Sequence, residues 1–237
     1  ADAGALRSLS GDNVWNGDVS LDSTRIAVDS DTLTITGQLS GSSGLRKAGA
    51  GTLVLTAAST YTGETVVRAG RLRLAGGHDR LNTAGTVWLQ GGTLELDGQN
   101  QTISKLTIAG SGRVELDGGA MLTASTGDFW NSTNAITGTG RFIKTGTGYL
   151  TFGIANADYT GGTFIDNGKL WLYQGDNKLP VTGDVTIAGP GLLDLAHSNT
   201  PGATQTIGGL FGEGKVSIGV AGKAVTFIVG NGDRPGN

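Results

Sequence analysis

Pairs of apolar residues two positions apart recur along this chain at a nearly constant interval. Leu33/Ile35, Leu53/Leu55, Leu72/Leu74, Leu94/Leu96 and Val114/Leu116 begin 20, 19, 22 and 20 residues apart. A second series, Ile26, Leu45, Val66, Val87 and Leu106, steps by 19, 21, 21 and 19. Leu150, Leu170, Leu193 and Val216 continue the beat with steps of 20, 23 and 23. Alternation with period two marks a half-buried strand. A long step shared by two interleaved series means that the backbone lays down a strand, turns, lays down another, and returns to its starting bearing. The next circuit then lies about 4.8 Å along an axis, at strand-pairing distance. The spacing predicts an all-β chain, a right-handed parallel β-helix (β-solenoid) of about 11 circuits with 20–23 residues per rung. The hand follows from the general preference for right-handed parallel crossovers.

A longer repeat contains this beat. Lys47-Ala48-Gly49-Ala50-Gly51 matches Lys144-Thr145-Gly146-Thr147-Gly148 at an offset of 97. Tyr61-Thr62-Gly63 matches Tyr159-Thr160-Gly161, and Gly70-Arg71-Leu72-Arg73-Leu74 matches Gly168-Lys169-Leu170-Trp171-Leu172, both at an offset of 98. Gln101-Thr102-Ile103 recurs as Gln205-Thr206-Ile207. We divide the single segment 1–237 into a first copy near 41–124, an irregular join near 118–140 and a second copy near 138–230. The join is expected to be an odd circuit or a loop that leaves the body, with Asp128-Phe129-Trp130-Asn131-Ser132 at its tip and the tryptophan packed back on the body.

The composition suits this architecture. Gly is 43 of 237 residues, far above the usual share of roughly 7%. The glycines cluster between the strands, where sharp turns need positive φ. No G-X-Y period exists, so a collagen is excluded. Gly-rich GAG, GTG and GSG stretches are followed by no helical periodicity, so they are read as turns and not as phosphate cradles. Net charge is −3 and pI about 5.3; no basic patch suits nucleic acid. No apolar run approaches the roughly 18 residues of a membrane helix, and no signal peptide opens the chain. The opening ADAGALRSL and closing VGNGDRPGN read as cut points in something longer. The absence of Cys suits the cytosol, or a large exported chain that crosses a membrane uncrosslinked.

The residues then become recognisable. The string G-x-G-x-L-x-L, Y-T-G, and G-x-L-x-L resembles the passenger-associated transport repeat of bacterial autotransporters, also called the autotransporter-associated β-strand repeat. The first copy carries it on Gly49, Gly51, Tyr61, Thr62, Gly63 and Gly70. The second carries it on Gly146, Gly148, Tyr159, Thr160, Gly161 and Gly168. Glu64 departs from the second copy, where Gly162 follows Tyr159-Thr160-Gly161. The resemblance implies a passenger of type V secretion, exported through the outer membrane of a Gram-negative bacterium and displayed on the cell surface or released. It implies an outer-membrane β-barrel translocator on the same polypeptide, outside this stretch, and an adhesin or virulence role. A host or bacterial surface protein or a glycan is the partner it suggests.

Catalytic constellations are weak. Glu95 and Asp97, and Glu115 and Asp117, are each two apart, hence about 6.6 Å apart along one strand face, a separation that suits paired glycosidase carboxylates. A convex solenoid offers no cleft to raise one pKa, so a solvated acidic face is expected, with Arg73 and Lys105 nearby. No Ca²⁺-binding nonapeptide is present, so no metal is assigned. His78 and His197 occupy inequivalent repeat positions, and no nucleophile elbow exists. The chain is therefore read as non-enzymatic with no cofactor; a carbohydrate-active or glycan-binding β-helix is the alternative. Exposed aromatics are the better hint. Trp171 and Tyr173 alternate with Leu170 and Leu172 and should face outward, with Tyr149 on the same face one circuit earlier. They form a platform for a sugar or partner protein, or a patch that another part of the polypeptide covers.

Overall fold

The computed structural model describes residues 6–22, 25–130, 135–153, 156–173, 175–195, 202–219 and 224–230. The fold is a parallel β-solenoid of about 10 turns. Every strand pair is parallel and joins one turn to the next, as in Leu53↔Leu72↔Leu94↔Val114. Leu150↔Leu170↔Leu193↔Val216 forms a second unbroken inward column. Arg71–Leu74 shows the physics locally: both leucines are buried and both arginines are half exposed. Each fully buried Leu or Val contributes roughly 1.5–3 kcal/mol, and because a rung touches only its neighbours these gains accumulate turn by turn.

Three faces run the length of the body. On the first, Leu6–Ser8, Arg25–Val28, Arg46–Ala48, Thr65–Val67 and Thr86–Leu89 stack in order. The second face stacks Thr32–Ile35, Thr52–Leu55, Arg71–Leu74, Thr93–Glu95, Arg113–Glu115, Ile136–Gly138 and Ala157–Tyr159. The third begins with Val19–Ser20 on Leu39–Ser40 and continues through backbone bonds at Ser59 and Thr60.

The two long strands Gln101–Ile108 and Met121–Phe129 each cover two faces. They lie against each other over most of their length. The first half of Met121–Phe129 then carries Arg141–Lys144, and its second half carries Tyr149–Phe152. Most of the stretch 118–140 is therefore regular rung. Its apolar beat fades because Ala120, Ala124 and Gly127 point inward, and Phe129, Phe142 and Phe152 fill the space they leave with edge-on ring contacts at 4.6–6.1 Å. Asn131, Ser132 and His197 lie outside the described residues.

This handover shifts the second copy around the axis. Thr52–Leu55 and Arg71–Leu74 lie on the second face, whereas their counterparts Tyr149–Phe152 and Gly168–Leu172 lie on the first. Arg46–Ala48 lies on the first face and its counterpart Arg141–Lys144 on the third. The register explains it. Leu53 and Thr65 are 12 residues and two faces apart, and four rungs lead from Thr65 through Val87, Leu106 and Gly127 to Leu150. An offset of 97 residues is thus four rungs plus two faces, not a whole number of turns.

The second apolar series is only partly in register. Val87 and Leu106 pair directly, but Ile26 pairs with Lys47, not Leu45, and Val66 pairs with Arg46. A lysine occupies the inward position that an apolar count cannot assign.

Candidate partner-binding face

The repeat's shared residues build the interior. Lys47 and Lys144 are fully buried. Lys47 Nζ donates to the carbonyls of Ala48 (2.9 Å), Gly49 (2.8 Å) and, one rung on, Ala69 (3.1 Å). Lys144 Nζ donates to the carbonyls of Thr145 (2.5 Å), Gly146 (2.9 Å) and Asn167 (3.1 Å). All three ammonium donors are used in each cage. Burial pushes both ammonium groups down to about 8, against carbonyl dipoles that favour the charged form.

The motif glycines enclose these cages. Gly70 and Gly168 have φ of 65° and 70°. A Cβ at Gly70 would lie 2.3 Å from the Gly51 carbonyl oxygen; one at Gly168 would lie 2.3 Å from those of Gly146 and Gly148. Only glycine lets one rung approach the next this closely.

The tyrosines of the two Y-T-G triplets are also interior. Tyr61 and Tyr159 are fully buried, and each shares a 2.5 Å hydrogen bond with the hydroxyl of Thr65 or Thr163. Burial raises the Tyr61 phenol to about 12 and the Tyr159 phenol further. Gln101 and Gln205 complete the set. Each Nε2 bridges the carbonyl of Leu81 or Leu179 and that of the next residue in its own strand.

The outer surfaces differ between copies. In the first copy Arg71 pairs with Glu95 at 3.0 Å and also with Glu115, Arg73 reaches Glu95 at 2.8 Å, and Arg113 reaches Glu115 at 3.3 Å. Glu95 is only 7% exposed. The expected solvated acidic face is therefore a compact ion network. The strands end at Glu95 and Glu115; Asp97 turns away at φ 45°, and Asp117 opens a short 3-10 turn. The carboxylates two apart do not share a strand face. Lys105 lies on the first face and takes no part.

In the second copy the counterparts of Arg73 and Arg71 are Trp171 and Lys169, now on the first face. Tyr149, 54% exposed, sits beside Lys169 in register and stacks on Trp171 with ring centroids 4.5 Å apart and planes at 19°. Lys169 Nζ lies 5.4 Å from the Trp171 ring and 3.9 Å from Asp194. Tyr173 packs instead against Trp130, at 5.6 Å and 71°. The Trp130 ring lies over Gly153, where a Cβ would approach it to 2.5 Å. Trp130 thus rests on the body, as expected. A recess of about 300 Å³ beside Tyr149 is lined by Lys105, Thr126 and Asp128. Tyr149, Trp171 and Tyr173 therefore sit on one face as two ring pairs: Tyr149 on Trp171, and Tyr173 on Trp130.

A family model described as passenger-associated-transport-repeat matches residues 45–74 and 142–172. Two stretches of the chain are thus similar to passenger-associated transport repeats. The first transport repeat contains the Lys47 cage, Tyr61 and Gly70; the second contains Lys144, Tyr159, Gly168 and the Tyr149–Trp171 stack. The chain is also similar to the adhesin BmaC autotransporter of Brucella suis biovar 1 (strain 1330), with 40% identity over 149 residues. That alignment covers 59% of this chain and 4% of the adhesin, so the chain spans a small part of that relative's length. The likeness indicates display at the surface of a Gram-negative cell or outside it. No solved structure matches the chain.

Proposed function

We propose that this segment is a non-enzymatic β-helical stalk in a secreted autotransporter, which supports surface display, folding during export and adhesion. A β-barrel translocator on the same polypeptide is the partner this reading requires. The observation that carries it is the rung-to-rung latch in both transport repeats. Lys47 and Lys144 each tie their own turn to the carbonyl of the following one, and Gly70 and Gly168 allow the close approach. A chain emerging end first can close such latches one at a time, each completed rung templating the next.

The test is a Gly70→Val/Gly168→Val double variant in the full polypeptide, scored by protease accessibility of the passenger on intact cells. Surface display should fall severalfold; unchanged display would sink the export reading. The face bearing Tyr149, Trp171 and Tyr173 supplies the contact with a host or bacterial surface protein or a glycan. Tyr149→Ala/Trp171→Ala should lower adhesion while leaving display intact. Adhesion equal to the parent's would retire that face. The exposed Tyr149 ring beside Lys169 also favours the second reading, a glycan-binding β-helix, which binding to a glycan array would separate from protein contact.

A further inference from the structure

On the third face the second repeat opens a polar cleft of about 250 Å³. Gly161 and Gly162 form its floor. A Cβ at Gly161 would lie 2.3 Å from the Gly140 carbonyl oxygen, and Gly162 has φ 85°, so neither position readily carries a side chain. Arg141 stands at one end. Its Nε donates to the Gly161 carbonyl at 3.2 Å, which fixes the guanidinium at the rim. Its terminal Nη groups meet no partner among the described residues. Asp184 stands at the other end, about 10 Å away at two rung spacings, with Oδ1 held by the Gly209 amide at 2.9 Å. Phe164 and Phe211 share one outward column across Thr186 and form an apolar shelf along the cleft; Phe211 is 53% exposed. In the first repeat Gly44, Glu64 and Val66 stand where the second has Arg141, Gly162 and Phe164, so the cation, half of the bare floor and half of the shelf belong to the second repeat alone.

We propose that this cleft binds a carboxylated sugar residue, of the uronic or sialic type. The chemistry selects it in three steps. An unpaired guanidinium fork recognises a carboxylate by paired hydrogen bonds. The hydroxyls of the ring donate to Asp184 and exchange bonds with Thr160 and Thr182, which a purely apolar anion does not use. The C–H face of the ring lies on the phenylalanine shelf. A peptide fits less well. The strands Thr163–Ile165 and Val185–Ile187 are paired on both sides, so neither offers an edge for strand addition. The volume suits one ring, near the lower end for ligand sites, and points to a chain-terminal or branch sugar.

The test is amide chemical-shift mapping on the 237-residue chain, titrated with N-acetylneuraminate, D-glucuronate, D-glucose, acetate and a short peptide with a free C-terminal carboxylate. At least one of the two acidic sugars should shift Gly161, Gly162 and Gly209, and bind at least about tenfold more tightly than glucose, acetate or the peptide. Arg141→Gln should weaken it by at least about tenfold, with an unchanged circular dichroism spectrum. Phe211→Ala should weaken it severalfold. Equal binding of glucose, or of acetate or peptide, would overturn the proposal. So would unaltered affinity in Arg141→Gln, or shifts confined to the Tyr149 face. Because the variants lie on a different face from Tyr149 and Trp171, adhesion through the aromatic pairs is scored separately.

Discussion

The two transport repeats are alike inside and unlike outside. Both hold a lysine in a cage of three carbonyls and a tyrosine bonded to a threonine, and each is followed by a glutamine that bridges two rungs. Their outward positions diverge. Arg71, Arg73, Glu95 and Glu115 close the first repeat with charge, and Tyr149, Trp171 and Lys169 dress the second with rings. The difference shows what each layer is for. A buried polar group without its partner loses its hydration for nothing, so the inner set changes only as a whole. An outward strand residue is held by no such requirement, and the second repeat uses that freedom on a different face.

The largest effect expected in that comparison comes from the glycines that both repeats need. Gly70→Ala and Gly168→Ala place a Cβ against carbonyl oxygens at a positive φ, and each should cost about 3 kcal/mol or more in urea unfolding. A cost under about 1 kcal/mol for either would show that its rung yields and that the repeats are not equivalent inside.

Next come the tyrosines. Tyr61→Phe and Tyr159→Phe each strand a threonine hydroxyl, and each should cost about 1–2 kcal/mol. Costs that differ by more than about that amount would separate the repeats.

Alkaline pH tests the lysines. With the folded ammonium at about 8 and the unfolded one near 10.4, the unfolded chain holds more protons across that window. Stability should therefore rise as pH increases from about 8 towards 10.4 and be lost again as pH falls. Part of the slope should vanish in Lys47→Met and more in the double variant with Lys144→Met. A parent that loses stability over the window, with a slope the variants abolish, would show that the carbonyl cage outweighs desolvation.

The smallest effect is outside. Glu95→Gln should cost no more than about 1 kcal/mol, less at high salt, because Arg71 and Arg73 are half exposed. Trp171→Ala should change stability without any such salt dependence. Matching salt responses would erase the outer contrast.

The solenoid was legible because its columns are made of leucines such as Leu53, Leu72 and Leu94, whose spacing survives in a plain apolar count. Alternation is visible at Trp171 and Tyr173, which are half-buried on either side of the buried Leu172. Lys47 and Lys144 escaped that reading because charge marks a residue as solvent-facing unless its acceptors are known, and those acceptors are backbone carbonyls that sequence does not display. The only signal was their recurrence at an offset of 97 just before a G-x-G. The acidic pairs were misread for a related reason: alternation was extended past Glu95 to Asp97, beyond the end of the strand. The Trp130–Tyr173 contact depends on Gly153, a residue absent from any apolar count.

The interval of four rungs and two faces has a consequence for display. Each repetition at that interval steps the same strand to another side of the shaft, and three steps bring it home. An array built on this interval would carry its variable decoration in a slow spiral, like treads around a newel post. A neighbouring cell would then meet some tread whichever way the shaft happened to be turned.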